Sequence, residues 1–338
     1  SQAEPIGSLD FGVEDYVPET LEVMLAQVEG GYTGKPLSIL LNSDFLYGAP
    51  AADLKVTSAV NLVPQRRLFD DWQEYVFGHF ADKTLTKNLR NTTTNDAGEA
   101  LLNIPSILAQ IDNPNETRTL RVVAGVQEPS GRIVRDTVSM PILNFDSWVG
   151  VRAKNEQVAF ATQSNIEFNL IHINKDASVI NGGNLAYRVV EEDWDYHWYY
   201  ANGWRYTVNR FDKGTVTGGN LVSDAQGKVR VDLGVQPWGR YRLEVTDVSS
   251  GQSTQIRYRV GWWNASGSQS AIPDQVKMAL SQPSALVGEK VAIKILPPYA
   301  GKLHLLIAND DIVEERVMDV PAQGIEVNLD IKKDFGPD

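Results

Sequence analysis

The sequence predicts an all-β protein built from tandem antiparallel β-sandwich domains. Segments rich in β-branched and aromatic residues, mostly in alternation, run along the whole chain, as in "NIEFNLIHI" and "RYRLEVTDV". Turns containing Gly, Pro, Asn and Asp separate these segments, and helical periods are not found between them. The same set of strands also recurs, which is typical of an array of sandwiches.

The recurrence is clearest at a turn that ends in glycine and leads into an alternating strand. It occurs at 95–104 ("NDAGEALLNI"), 223–233 ("SDAQGKVRVDL") and 321–331 ("PAQGIEVNLDI"). Upstream strands such as "LSILLN" and "IEFNLIHI" open each copy in the same way. The copies start about 125 residues apart, which is close to the size of one sandwich domain. We therefore expect three copies of one fold.

The repeat sets the expected domain boundaries, which fall in segments that carry Pro or Gly. The expected divisions are the final strand of a preceding domain at 1–18, sandwiches at 19–145 and 146–262, and a partial domain at 272–338. Two insertions interrupt the repeat: one at 66–90, where a helical turn or two is expected, and an aromatic hairpin at 191–216.

The third copy lacks the counterpart of "YRLEV", so we expect the sequence to be a piece of a longer chain with its last domain truncated. The strand at 325–331 would then present an open sheet edge, which we expect to pair with another copy.

Composition excludes several classes of function. The 338 residues carry a formal net charge of −12 and no cysteine. An acidic chain without a basic run lacks the counterion release that drives nucleic-acid binding. Without cysteine there is no thiolate nucleophile, Cys-bound zinc or disulfide, and the four histidines have no metal-ligand spacing. We expect no catalytic residue, cofactor or metal.

The stretch "NSDFLYGAP" contains a Ser next to an Asp, two residue types found in hydrolase sites. It lacks the Gly-x-Ser-x-Gly turn that exposes a catalytic serine. Phe45 and Tyr47 are expected to alternate into a core, and Gly48 and Pro50 to form a tight corner. The stretch is therefore predicted to be part of the scaffold.

The second insertion carries the most unusual local feature, an alternating aromatic row formed by Trp194, Tyr196, Trp198, Tyr200 and Trp204. Such a row either packs on a neighbouring surface or provides a stacking platform for carbohydrate or peptide. The neighbouring acidic residues also allow a glycosidase-type carboxylate pair. Those residues are Glu191, Glu192, Asp193 and Asp195. All three interpretations stay open at the level of the sequence.

The connection between the second and third copies, "NASGSQSAIP", is flexible by composition and is the best candidate for a protease-accessible linker. The candidate residues are Asn264, Ser266, Gly267, Ser268 and Ser270.

Several of these segments together resemble the bacterial alpha-2-macroglobulin family. They include "VEDYVPETLEV" at 13–23, "FLYGAPAADLKV" at 45–56, "DWDYHWYYANGW" at 193–204 and "PDQVKMALSQPSALVGEKVAIKI" from 273 on. The resemblance covers essentially the whole chain, and the motifs follow one another in the same order as in the family. It implies macroglobulin-type sandwiches of the immunoglobulin or fibronectin kind, with the third copy at the start of the bait-region stretch.

The resemblance also implies a function. Members are large periplasmic proteins, often lipid-anchored to the inner membrane, that trap proteases when an exposed bait segment is cut; many capture the protease through a Cys-x-Glu-Gln thioester. Without cysteine, the thioester must lie outside this sequence or be absent from the longer protein. The expected role is a non-enzymatic structural and interaction module of such an inhibitor. Its expected partners are proteases, neighbouring macroglobulin domains and other envelope proteins. The alternative is a carbohydrate-binding or adhesin-type array that uses the aromatic row.

Overall fold

The computed structural model describes residues 20–154, 158–161, 163–200, 204–237, 239–260, 276–280, 284–297, 299–308, 311–321 and 324–335. Regular structure in these residues is almost entirely antiparallel β-sheet. The described residues also contain one-turn 3₁₀ helices at Asp70–Trp72, Leu108–Gln110 and Lys333–Phe335. The predicted all-β class is confirmed. Within the described residues, no helix has the length and apolar character needed to cross a membrane.

The chain divides into two compact units. The first comprises Ser1–Trp72 and His79–Asp146, and the second comprises Gln73–Gly78 and Ser147–Asp338. The division into three copies with the boundaries given above stays a prediction.

The first nine strands are β1 (Leu21–Leu25), β2 (Leu37–Phe45), β3 (Lys55–Pro64), β4 (Val76–Phe77), β5 (Leu85–Asn88), β6 (Thr92–Thr93), β7 (Glu99–Ile104), β8 (Arg118–Gln127) and β9 (Ile133–Pro141). All except β4 belong to the first unit, which has sheets ordered β1-β2-β7 and β5-β3-β8-β9, with β6 also paired to β3. The alternation read from the sequence is realised in β1, where Leu21, Val23 and Leu25 are buried and the residues between them are exposed. These three side chains share one apolar core with residues of β3 and β8.

The second unit contains the remaining strands, which are β10 (Ser147–Ala153), β11 (Ala159–Phe160), β12 (Glu167–Asn174), β13 (Asn184–Tyr200), β14 (Trp204–Val222), β15 (Lys228–Asp232), β16 (Gly239–Asp247), β17 (Ser253–Val260), β18 (Lys277–Leu280), β19 (Lys290–Leu296), β20 (Gly301–Ala308), β21 (Ile312–Val320) and β22 (Ile325–Asp330). Two sheets, ordered β15-β12-β10-β4 and β11-β17-β16-β13-β14, enclose a core that includes Val151, Phe168, Leu243 and Tyr258.

The last five strands form a three-stranded sheet, β18-β19-β22, and the hairpin β20-β21. Ile293, Ile295 and Val327 lie in a small core with neighbouring residues of these strands. In the described part of the chain, β22 pairs only with β19, so one of its edges has no strand partner. Pairing of that edge with another copy stays a prediction.

The repeated glycine turn has the same geometry at each of its three positions. Gly98, Gly227 and Gly324 have φ values of 76°, 69° and 91°, and each donates its N–H to the carbonyl three residues earlier at 2.9 Å. A Cβ at Gly98 would lie 2.3 Å from the Ser43 carbonyl oxygen, and one at Gly227 would lie 2.6 Å from that of His172. Both the left-handed backbone and the close approach therefore require glycine.

The corner after β2 differs from the prediction at one residue. Gly48 has φ 92° and donates its N–H to the Phe45 carbonyl at 2.7 Å, which closes the expected tight turn. Tyr47 does not enter the core; it is 77% exposed, so that prediction is wrong. The strand ends at Phe45, so the alternation stops there, and the Tyr47 ring stacks on the Phe45 ring with centroids 5.1 Å apart.

Candidate functional site

A short piece of the first insertion is built into the second unit. Residues Gln73–Gly78, which we call the docked segment, are assigned to that unit although the chain on either side belongs to the first. Strand β4 of the segment lies antiparallel at the edge of β10, with Val76 opposite Val151 and Phe77 opposite Gly150. The docked segment thus adds a fourth strand to a sheet of the second unit.

Backbone hydrogen bonds fix the end of the docked segment. The Gly78 N–H donates to Thr254 Oγ1 at 2.8 Å, and the Gln255 N–H donates to the Gly78 carbonyl at 3.0 Å. Thr254 in turn donates its hydroxyl to the carbonyl of Val149 in β10. Because Thr254 is fully buried, these bonds are made away from water, where an unpaired group is costly.

Aromatic side chains hold the docked segment on the sheet. Phe77 and Tyr75 are 0% and 2% exposed. A Cβ at Gly150 would lie 2.8 Å from the Phe77 ring, so the absence of a side chain there creates the hollow that the ring fills. The Arg152 guanidinium lies over the Tyr75 ring, 5.1 Å from its centroid, in a cation–π contact.

A second feature is a set of ion pairs where the β13–β14 hairpin leaves the sheet. We call it the hairpin-root cluster; its members are Arg188, Glu192, Asp212, Arg242, Glu244 and Arg257. Arg242 is central: its guanidinium donates two hydrogen bonds to Asp212, at 3.0 and 2.8 Å, a third to Glu244 at 2.8 Å and a fourth to Glu192. The cluster joins strands β13, β14, β16 and β17.

Burial and charge balance both mark the hairpin-root cluster as a fixed structure. Glu244 and Arg242 are 5% and 9% exposed. Burial by itself raises the pKa of Glu244, but hydrogen bonds and charge from Arg188 and Arg242 outweigh it and hold the pKa below its usual range. The pKa of Asp212 is lowered chiefly by its hydrogen bonds from Arg242. The cluster thus pairs three carboxyl groups with three guanidinium groups, and the arginines favour the charged form of Glu244 and Asp212.

A buried Ser, His and Asp also meet in the second unit, but their arrangement is structural. Asp247 accepts a hydrogen bond from the Ser147 hydroxyl, and its Oδ2 atom lies 3.3 Å from His172 Nε2. A nucleophilic serine would need to bond to the histidine, whereas here Ser147 bonds to the carboxylate. Burial raises the pKa of Asp247, yet hydrogen bonds from Ser147, Ser249 and Ser250 outweigh it and hold that pKa far below normal. Asp247 thus anchors the β16–β17 turn.

The structure places the predicted candidate residues as follows. The aromatic row lies in the long hairpin, where the backbone pairs Trp194 with Arg210 and Tyr200 with Trp204. The side chains of the row lie outside the described part of the structure, so its role stays a prediction. The linker candidates at 264–270 also lie outside the described residues.

Two members of the predicted carboxylate set are already engaged by cations. Glu191 forms an ion pair with the Lys213 ammonium, and Glu192 forms ion pairs with the guanidinium groups of Arg242 and Arg257. Within the described residues, no group of three or more potential ligands is arranged to hold a metal ion. The docked segment and the arginines of the cluster are not predicted from the sequence. The only available signals were the aromatic "EYVF" run in the insertion and the Arg-x-Glu spacing of "YRLEV".

Comparisons with known proteins place these sandwiches in one family. The model of the bacterial alpha-2-macroglobulin MG5 domain matches residues 21–143, and the model of bacterial macroglobulin domain 6 matches residues 150–262. The chain belongs to the bacterial alpha-2-macroglobulin family. The two matched domains are numbered consecutively in the family and follow each other here in the same order.

Whole-chain relatives agree with this assignment. Alpha-2-macroglobulin of Xylella fastidiosa strain 9a5c is 28% identical over 335 residues, which are 96% of this chain and 20% of that protein. Alpha-2-macroglobulin of Escherichia coli K12 is 26% identical over 358 residues, covering 96% of this chain and 21% of that protein. The chain thus spans about a fifth of the length of these family members.

Solved structures of the family share the fold. The cryo-EM reconstruction of native E. coli alpha-2-macroglobulin superimposes with a TM-score of 0.63 at 22% identity, covering 96% of this chain and 21% of that one. The crystal structure of Salmonella alpha-2-macroglobulin reacted with methylamine gives 0.62 at 23% identity, with coverages of 95% and 21%. The predicted macroglobulin-type sandwich is confirmed.

Proposed function

We propose that this chain is a structural and interaction module of an alpha-2-macroglobulin-type inhibitor that traps endopeptidases. The observation that carries the proposal is the match to two consecutive macroglobulin domains, at 21–143 and 150–262. Structures of the E. coli relative are described as activated by trypsin and by porcine elastase, which supports proteases as the partners of the longer protein.

In this proposal the module works mechanically. A protease cuts a bait segment of the longer protein, and the sandwiches act as frame elements that keep their shape while the arrangement of domains changes. The docked segment suits that role, because its buried rings and backbone bonds make the chain cross between the two units at residues 72/73, 78/79 and 146/147.

The cellular setting is part of the same proposal. The longer protein is periplasmic, is anchored by lipid to the inner membrane, and protects the cell envelope against incoming proteases. On their composition, residues 264–270 are the candidate for the first cut by a protease. Other macroglobulin domains and envelope proteins are the remaining partners.

The test uses the longer protein with two substrates of different size. After incubation with trypsin or elastase, a trap leaves cleavage of a small chromogenic peptide intact while cleavage of a large protein substrate falls. Loss of both activities points to active-site inhibition instead, and loss of neither contradicts the proposal. Mass spectrometry of the products locates the first cut. A first cut outside residues 261–274, the connection that contains 264–270, would show that this connection is not the segment that triggers trapping.

A further inference from the structure

The first unit contains a cleft on the open side of its sandwich, between the edge strand β5 and the end of the edge strand β7. It has a volume of about 520 Å³, and Leu37, Leu89 and Ile104 supply its apolar lining. All three pack in or against the core of the unit, so the floor of the cleft is fixed. Polar lining comes from Ser38, Asn88 and Asn103.

The β5 side of the cleft is an unpaired strand edge. The Leu89 N–H donates to the Ser58 carbonyl of β3 at 2.9 Å, so alternate residues before Leu89 also direct their backbone groups to β3. The backbone N–H and C=O groups of Thr86 and Asn88 therefore point away from β3. In the described part of the chain, β5 has no strand on this outer edge, so these groups are available to an added strand.

The charged residues that line the cleft are both cationic. Lys87 and Arg90 line it, and Lys35 adjoins it. The three sequence stretches that form the cleft, 30–43, 84–95 and 100–111, contain no Asp or Glu, although the whole chain has a net charge of −12. Lys87 lies opposite Val60, a core residue, so it occupies a core-facing position on the edge strand.

We propose that this cleft binds an extended, acidic segment of a partner protein, which adds a strand to β5. Apolar side chains of the segment would cover Leu37 and Leu89, and a carboxylate would pair with Lys87. Strand addition at a free edge is a general mode of peptide recognition. This chain already uses that mode where β4 lies on the edge of β10. The proposal is independent of the protease-trap function.

The competing explanation is that Lys87 protects a free edge, because inward-pointing charge discourages edge-to-edge association. The two explanations predict different results. Protection predicts no affinity for a peptide and self-association when Lys87 is replaced by a small neutral residue. Recognition predicts affinity that depends on charge and on the backbone groups of β5.

The test uses the whole chain and a fluorescein-labelled peptide, Glu-Val-Thr-Glu-Thr-Ile-Thr, in fluorescence anisotropy. Its Val, second Glu and Ile share one face of a strand, as Leu85 and Lys87 do on β5 and Leu89 does directly after it. We expect saturable binding that weakens with salt, and roughly tenfold or greater loss for Lys87→Glu and for Arg90→Glu, since each reversal replaces an attraction by a repulsion. Lys55→Glu, on an exposed residue of β3 outside the cleft, makes the same change in charge and should bind normally.

Hydrogen exchange locates the bound peptide. Binding should slow exchange at the Thr86 and Asn88 amides, which face outward, and leave Leu85 and Lys87 unchanged, since those amides face β3. A peptide with Gln in place of both Glu residues should bind at least tenfold more weakly. Equal binding of that neutral peptide, equal binding by Lys87→Glu, or binding without protection of Thr86 and Asn88 overturns the proposal. Absence of binding also overturns it, and self-association of Lys87→Ser would then support edge protection.

Discussion

Replacing Phe77 by alanine tests whether the docked segment belongs to the core of the second unit. The ring is fully buried, and core Phe→Ala substitutions cost about 3–5 kcal/mol. Gly150 lies opposite and has no side chain to move into the space, so the cavity persists and the expected cost is in the upper part of that range. A loss of about 4 kcal/mol corresponds to roughly 8–16 °C in the melting temperature of a domain of this size.

Urea unfolding followed by circular dichroism measures the loss, and Phe211→Ala is the matched control. Phe211 is 49% exposed on β14, so the same chemical change there should cost less than about 1 kcal/mol. A Phe77→Ala loss as small as that of the control would refute the assignment of the segment to the second unit.

A second substitution, Gly150→Ala, tests whether Phe77 stabilises the second unit through its contact with Gly150. In Gly150→Ala the new methyl group meets the Phe77 ring at 2.8 Å and Ile171 Cγ2 at 2.6 Å, so the segment must shift. If both substitutions act through this contact, the double variant loses less stability than the sum of the single variants. Additive losses would show that Gly150 and Phe77 act separately.

Three further predictions concern the hairpin-root cluster, acid stability and the repeated turn. Arg242→Met leaves buried carboxylates uncompensated and should cost about 3–5 kcal/mol in denaturant unfolding, whereas an exposed arginine replaced in the same way should cost under about 1. The pKa values of Glu244 and Asp247 are lower in the folded than in the unfolded chain. Their contribution to the free energy of unfolding is therefore complete above the unfolded pKa values of about 4 and declines as the pH falls below them. Unfolding measured from neutral pH down to about pH 3 should show this decline, with a shallower slope in Asp247→Asn; an unchanged slope contradicts the role of Asp247. Gly98→Ala should cost about 1–3 kcal/mol more than Gly48→Ala in thermal unfolding, because both have positive φ but only Gly98 lies against a backbone carbonyl, where an added methyl group overpacks the site; equal losses would remove the contact from the explanation.

The features that the sequence predicts well are local. The turn at Gly98 and Gly227 is recognisable because a few neighbouring residues determine both the left-handed glycine and the alternating strand after it. The prediction for Tyr47 is wrong because the alternation ends with the strand at Phe45, and the sequence carries no sharp signal for that end.

The features that escaped prediction depend on contacts between distant residues. Strand β4 has two residues, too few to show alternation, and its partner Gly150 becomes a hollow only in the folded sheet. Glu192 stands in an acidic run that is typical of a solvated hairpin, yet it is 7% exposed because Arg242 and Arg257 come from strands far along the chain. The cleft likewise joins three cation-bearing or neutral stretches that the sequence keeps apart.

The docked segment has a consequence for biosynthesis. Ribosomes release residues 73–78 before β10 and β17 exist, so Tyr75 and Phe77 stay unshielded while the first unit folds. The second unit becomes complete only when pieces from two places in the chain are present together. Expression of the chain from Ser147 onward would leave an unfilled hollow over Gly150, and expression of the part before Ser147 would leave a loose apolar loop. The smallest piece that folds with its aromatic contacts intact therefore includes both sandwiches.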